Sequence, residues 1–423
     1  MEWLRASGLT LGLILATSLG ALEPDSRWQF GGFGTLGLAA TDSHQVAYPR
    51  DTTAYTGAVD HPFLQEDSRL GLQGHLTLTD TLGATLQVVS RYRYDATYKP
   101  DLTKAELVWN PVLGTTVHVG RMNFESQIDQ NVGYDYLWVR PPQEIYSAIA
   151  VGAMDGVDVN QALPLWGKAI LVLKAYAGTS AGRIAMWRVG DMDFNGGREF
   201  GTVVEVLDGP WRLALSAGQF WIPSEFPGAV GQIPALLDSY STALADSGLA
   251  QTARQFSIKN GRERGLGLLA TYTRDPLLIE GQFTRTSTDK WLLQPVESGC
   301  VYLGYKLGEV RPYAMYARTL AKRLELPYLG AIPLLPDPLS HGVAPGIDEL
   351  LGGLNRNQFT WSLGERWDFS PHAAFKAQVD WVRSPQASSP LSSLQPGANG
   401  NMKVYTVLVD FKFGKEAVRG FTD

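Results

Sequence analysis

Four arginines and four carboxylates have the strongest claim to chemistry in this chain. Arg69, Arg91, Arg93 and Arg121 precede residues 122–152, which hold Glu125, Asp129, Asp135 and Glu144. Unlike charges facing each other across a narrow water-filled gap set up a strong transverse field, and such clusters select solutes by charge and dipole. The stretch 122–152 also carries Tyr134, Tyr136, Trp138 and Tyr146, and Pro141-Pro142 stiffens it. That many rings suit a loop that packs on a wall; the alternative is a loop whose acids are ordinary solvated residues. The remaining reactive types point to nothing catalytic. His44, His61, His75, His118, His341 and His372 are scattered, with neither an H-E-x-x-H metal helix nor a G-x-S-x-G nucleophile turn. His75 and His118 read as wall residues. Cys300 is the only cysteine, so no internal disulfide or multi-cysteine metal site forms. No cofactor is expected, and a formal charge of −6 argues against a phosphate-coating surface, hence against nucleic acid.

The elements that would position these groups are strands. In 69–79, Arg69, Gln73, His75, Thr77 and Thr79 share one parity, and Leu70, Leu72, Leu76 and Leu78 the other. Strict period two means one wet face and one apolar face. Thr85, Gln87, Arg91 and Arg93 alternate likewise with Ala84, Leu86, Val88, Tyr92 and Tyr94. Lys376, Gln378 and Asp380 alternate with Phe375, Ala377, Val379 and Trp381, and Thr406, Asp410 and Lys412 with Tyr405, Val407, Val409, Phe411 and Phe413. Arg69, Arg91 and Arg93 therefore face inward. Arg121 shares the parity of Val117 and Val119, so either a bulge at Gly120 turns it inward or it snorkels at the rim.

The N-terminus has the layout of a cleavable secretory leader over 1–20: an apolar run from Leu9 to Leu19, then small Ser18 and Gly20 before Ala21. An uncleaved anchor helix is the alternative, but the run is shorter than the roughly 20 residues of a span. An exported chain with no other long apolar segment is secreted, periplasmic or a barrel in the outer membrane. Three features favour the barrel. The strands approach the roughly 9–11 residues of a tilted membrane strand. Aromatics such as Trp28, Trp109, Trp211, Trp221, Trp367 and Phe413 gather at strand ends, as in interfacial girdles. The connections alternate between short and long. Seven are short turns rich in Gly, Pro, Asp and Asn, at 80–83, 110–114, 164–167, 208–210, 274–276, 307–309 and 369–371. Eight are long, at about 39–65, 95–102, 122–152, 178–196, 222–261, 288–296, 319–356 and 384–400. Fifteen connections predict an all-β, transmembrane antiparallel barrel of about 16 strands over 21–423, with short periplasmic turns, long outer loops and the third loop in the lumen. A short helix is expected within 233–249. Cys300 reads as a small packed residue in a strand over 299–307.

At these residues a resemblance to a family emerges. Asp67-Ser-Arg-Leu-Gly-Leu-Gln-Gly74 resembles the S-R-x-G-x-x-G second strand of the general bacterial porins. Val119-Gly-Arg121, the long loop after it and Asp155-Gly-Val-Asp158 resemble their G-R strand end, inward loop and next strand. The segment Tyr405–Phe413 is similar to their terminal aromatic strand. The resemblance implies a homotrimer of sixteen-stranded barrels in the outer-membrane lipid, passing small hydrophilic solutes and ions by passive diffusion. It also implies that Arg69 and Arg121, with Arg91 or Arg93 beside them, are wall bases facing third-loop acids. The loop departs from the family's Pro-Glu-Phe-Gly-Gly-Asp run, so the acids are not assigned one by one. The family ends at an aromatic residue, whereas here Gly414–Asp423 follow Phe413. A substrate-specific channel with saturable uptake, and a secreted soluble all-β binding protein, are the competing readings.

Overall fold

The computed structural model describes residues 27–123, 131–146, 152–186, 190–245, 247–290, 293–321, 356–384, 391–393 and 398–414. The expected leader over 1–20 and the residues after Gly414 lie outside the described residues. Sixteen antiparallel strands form one closed barrel. They are β1 (Trp28–Thr41), β2 (Arg69–Thr77), β3 (Leu82–Arg91), β4 (Asp101–Trp109), β5 (Thr115–Asn123), β6 (Ala153–Pro164), β7 (Ile170–Ala181) and β8 (Arg198–Asp208). The second half is β9 (Trp211–Trp221), β10 (Arg262–Arg274), β11 (Leu277–Thr288), β12 (Val296–Tyr305), β13 (Val310–Ala321), β14 (Gln358–Ser370), β15 (Ala373–Arg383) and β16 (Met402–Gly414). Each strand pairs with its chain neighbours, and β1 pairs with β16 from Gly31↔Gly414 to Thr41↔Val404, so no edge is left open. The barrel agrees with the expected strand count and with every expected turn and loop, within a few residues at each boundary.

The alternation follows from what each face touches. Along the first part of β2, Leu70 and Leu72 are exposed, and Arg69, Gly71 and Gln73 are buried. Leu36, Leu86, Leu107, Val157, Leu215, Leu266, Phe283, Val301, Trp361 and Tyr405 extend that apolar outer surface around the barrel. A soluble barrel would waste this surface, whereas hydrocarbon is a suitable solvent for it. Inside, Gln73 and Gln87 bond each other at 3.0 Å, and bulged Thr103 donates to Gln87 at 2.6 Å. At the short-turn end, Gly114, Gly167, Gly209 and Gly308 take positive φ, the conformation that a glycine supplies without strain.

The long loops gather at the other end. Val46–Ala47 of the first loop pairs with Ser392–Ser393 of the eighth, over a cluster of Val46, Tyr48, Val382, Leu391, Met402 and Val404. The fifth loop holds two helices, α1 (Gly228–Leu244) and α2 (Ser247–Phe256), so helix is more extensive there than the sequence suggested. No described helix is long and apolar enough to cross a membrane, a statement that leaves strands untouched.

Candidate pore constriction

The described part of the third loop lies inside the barrel, as expected. Residues 131–146 pack on one arc of the inner wall, made by β11 to β16 with β1 to β3. Two wall cations hold it by its backbone oxygens. Lys376 of β15 is fully buried and donates to the carbonyls of Gly133, Tyr136 and Trp138 at 2.6, 2.6 and 3.0 Å. Asp410 of β16 balances its charge at 2.9 Å and accepts from the Thr35 hydroxyl at 2.5 Å. Arg366 of β14 donates to the carbonyls of Tyr134 and Tyr136 at 2.5 and 3.0 Å, with its guanidinium over the Tyr134 ring. A buried ammonium with no water nearby is tolerable only when its three donors and its charge are all matched, and the loop backbone completes that set.

Arg140, on the loop, makes the reciprocal contact. It grips Asp67 with two bonds of 3.1 and 2.6 Å, donates to Thr406 at 2.8 Å and lies 3.7 Å from Asp380. Burial opposes its charged form, but the Asp67 carboxylate outweighs burial and raises its pKa well above the ordinary range. Apolar packing fills the gaps between these anchors. Trp138 stacks on Tyr136 and meets Tyr302 edge-on at 4.4 Å, while Ile145 and Tyr146 cover Cys300 and Ala317. Cys300 is thus the packed residue that its position suggested, in a strand beginning at Val296 rather than Gly299.

The sequence-predicted residues divide into distinct groups. Arg69 and Arg91 face inward, directly paired across β2 and β3, and both meet the loop. They meet neutral oxygens there: Arg69 reaches the Tyr136 hydroxyl at 2.7 Å, and Arg91 the Asn131 side-chain carbonyl at 3.2 Å. Arg69 is almost covered by the loop, while Arg91 is half-buried and borders the lumen. Arg93 lies beyond the end of β3, in the second loop. It pairs with Asp101 and, at 3.8 Å, with Asp95. Arg121 is a correction to the wall-base reading. The register runs unbroken through Gly120 on both sides, so no bulge turns the strand. Arg121 stays on the face of Val119 and Val157 and forms a two-bond pair with Asp155, 2.7 Å each, on the outside of the barrel. The bulge in this region sits in β4 instead.

Among the acids, Glu125 and Asp129 lie outside the described residues. Asp135 is exposed on a short 3-10 turn, Gly133–Asp135. Glu144 is buried against β14, where Thr360 donates to it and Gln358 does so at 3.0 Å. It meets a hydroxyl and an amide rather than an arginine. Burial pushes its carboxyl above the usual 4.5, against the two bonds that favour the anion. A carboxyl raised on folding contributes stability below its unfolded pKa, and that contribution is lost as pH rises through the folded value. The resistance of the folded barrel to heat in detergent is therefore expected to fall as pH rises above about 4.5. Glu144→Gln, which keeps an acceptor for Thr360 and Gln358, is expected to flatten that part of the profile.

The described part of the loop leaves the opposite arc, β4 to β9, uncovered. Its inward side chains range from buried Asp158 to exposed Arg212 and are of both signs. His118 bonds Asp158 at 2.8 Å, with Lys174 at 3.9 Å from the same carboxylate. Glu205 and Arg212 pair at 2.7 Å, and Glu106 lies in register with inward Thr85. Among the described residues, no group of three or more histidines, cysteines and acids is arranged to hold a metal.

A closed sixteen-stranded barrel with its third loop folded inside is the architecture of the Gram-negative outer-membrane porins, and solved structures of that class are similar to this chain. OmpT of Vibrio cholerae, an outer membrane protein in its in-vitro folded trimer form, matches over 91% of this chain and 99% of its own, with TM-score 0.53 and 12% identity. The anion-selective porin from Comamonas acidovorans matches over 91% and 99%, with TM-score 0.50 and 14% identity. OmpF of Salmonella typhi, in complex with daunomycin, matches over 91% and 97%, with TM-score 0.50 and 9% identity. At these identities the shared property is the fold. No family model and no curated protein matches the chain.

Lys376, Asp410, Arg140, Asp67 and Arg366 are the anchors that sequence reading left unassigned. One signal for them was present: alternation puts Lys376, Asp380 and Asp410 on the wet face. That places them in the lumen but does not say that the loop buries them.

Proposed function

We propose that the chain is an outer-membrane channel, exported through a cleaved leader, for passive diffusion of small hydrophilic solutes and ions, without enzymatic activity. One observation carries this reading: a closed barrel with an apolar exterior keeps an arc of mixed-charge side chains inside, which the described part of its third loop, bound to the other arc, leaves uncovered. Side chains alone do not fill a barrel of sixteen strands, so water occupies the space beside that arc. Arg69 and Arg91 meet neutral oxygens on the described part of the loop, and Arg91, with Asp51 and Asp101 nearby, is the inward cation left at the edge of the lumen, where it favours anions. We assign a homotrimer on the likeness to the trimeric Vibrio barrel.

Purified protein in planar bilayers is expected to give stepwise, ohmic conductance, closing in three steps per assembly. Heat-modifiable, correctly folded protein that passes no current would refute the channel. Flux that saturates with one solute and is blocked by it would replace passive diffusion by specific uptake.

A further inference from the structure

Glu199 of β8, Phe220 of β9 and Glu263 of β10 stand in one row across the inner wall. The pairs Glu199↔Phe220 and Phe220↔Glu263 are in direct register, so the three side chains share a face. That face is the inner one, because Phe200, Leu215 and Leu266, of opposite parity on the same strands, are exposed on the outer wall. Each member of the row is one residue in from the loop end of its strand, so the row lies at the loop-side mouth of the lumen. At the usual strand spacing the two acids start about 10 Å apart, with the ring between them.

The acids of this row are poorly matched. Glu199 is 4% exposed, and neither of its carboxylate oxygens accepts a hydrogen bond from a described residue. No basic group among the described residues acts on it. Asp158 and Glu205, on the same stretch of wall, have His118, Lys174 and Arg212 beside them. Arg356 acts on Glu263, so the row sets two acids against one base. A buried carboxylate without a donor is costly, and a donor brought in from outside removes that cost. The next row, on the side away from the loops, is a shelf. Tyr176, Gly201, Gly218 and Gly265 are in register across β7 to β10. The phenol end of Tyr176 lies over Gly201 and Gly218, but no described atom comes within 4 Å of where a Cβ at Gly265 would stand. The wall is therefore recessed directly beside Phe220 and Glu263.

An ammonium group donates to carboxylates with charge assistance and is attracted to the face of an aromatic ring. We propose that Glu199, Phe220 and Glu263 form a binding site for organic cations, taking a primary ammonium between the acids and its compact apolar or aromatic body in the recess at Gly265. A neutral solute leaves the acids uncompensated, and an anion is repelled by them. The site rests on the channel reading, with water inside the barrel and the long loops at its entrance. It adds to that reading a class of solute that the wall holds, beside a lumen through which other solutes still pass.

The test uses the full, folded protein in detergent and ligand-observed saturation-transfer NMR with phenethylammonium, against neutral 2-phenylethanol as the matched control. Wild type is expected to bind the amine roughly tenfold more tightly than the alcohol, the scale of one charge-assisted bond. Glu199→Gln/Glu263→Gln is expected to lower the amine to the level of the alcohol and to leave the alcohol unchanged. Phe220→Leu keeps both carboxylates, so it supplies a test should the double variant not fold; it is expected to weaken the amine several-fold. Equal binding of amine and alcohol by wild type, an undiminished preference in the double variant, or an amine affinity untouched by Phe220→Leu would overturn the site. A protein that passes no current yet prefers the amine through these residues would refute the channel and leave the site standing. A conducting channel indifferent to the ammonium would do the reverse.

Discussion

Lys376→Met is expected to free the third loop from the wall and to weaken the whole barrel. The ammonium satisfies three loop carbonyls at once and balances Asp410, and both side chains are fully buried. Removing one member of a buried pair costs about 3–5 kcal/mol, because the other charge is left alone in a dry site. The orphaned carbonyls add to that cost. The folded form should convert to the unfolded one at a lower temperature in detergent, and single channels should show larger, noisier currents as the loop leaves its seat. Lys376→Met/Asp410→Leu separates the two contributions. It removes the stranded carboxylate and should recover much of the heat resistance, but the loop carbonyls still lack their donor, so the noise should persist. Quiet channels of wild-type size in the single variant would show that the loop is held by something else.

Arg91→Glu is expected to have the largest effect on ion selectivity. Arg69 and Arg91 are neighbours on the wall, but the loop covers Arg69 and leaves Arg91 facing the lumen. A unit charge about 8 Å from a passing ion, through an effective dielectric of about 20, contributes on the order of 2 kcal/mol. Salt with a Debye length of about 10 Å at 0.1 M screens part of that. Reversing the sign at Arg91 should therefore change the anion-over-cation permeability ratio several-fold in dilute salt, and less in concentrated salt. Arg69→Gln should act chiefly through the Tyr136 hydroxyl, loosening the loop with a smaller shift of reversal potential. Equal shifts from the two variants would mean that both guanidiniums are wetted by the lumen.

The barrel was legible in the sequence because its two solvents write opposite residues at alternate positions. Leu70, Leu72, Leu86 and Val407 could face only hydrocarbon once Arg69, Gln73, Gln87 and Thr406 faced water. The turns announced themselves through Gly, Pro and Asp, and their alternation with long loops fixed an even strand count. The constriction was only half legible. Ring density marked residues 122–152 as a packed loop, and the arginine parity placed Arg69 and Arg91 opposite it. Partner identity was not readable, since it depends on loop carbonyls, which no side-chain pattern records. Lys376, the strongest anchor, binds oxygens that every residue possesses. Arg121 shows the limit of motif reading: it lies next to Gly120 in a familiar strand-end pattern, yet an unbroken register keeps it on the outer face, where Asp155 neutralises it.

Accessibility from water at two adjacent positions of one strand tests the central claim most directly. In β4, Glu106 shares the register of inward Thr85, while Leu107 is exposed on the outer face. Single cysteines at these positions, in a Cys300→Ala background, are to be treated with a charged methanethiosulfonate during single-channel recording. Glu106→Cys should respond with a stepwise change in current in each subunit, and Leu107→Cys should remain silent. A current that ignores the reagent at position 106 but responds at 107 would show that the wet and greasy faces have been exchanged, and with them the lumen itself.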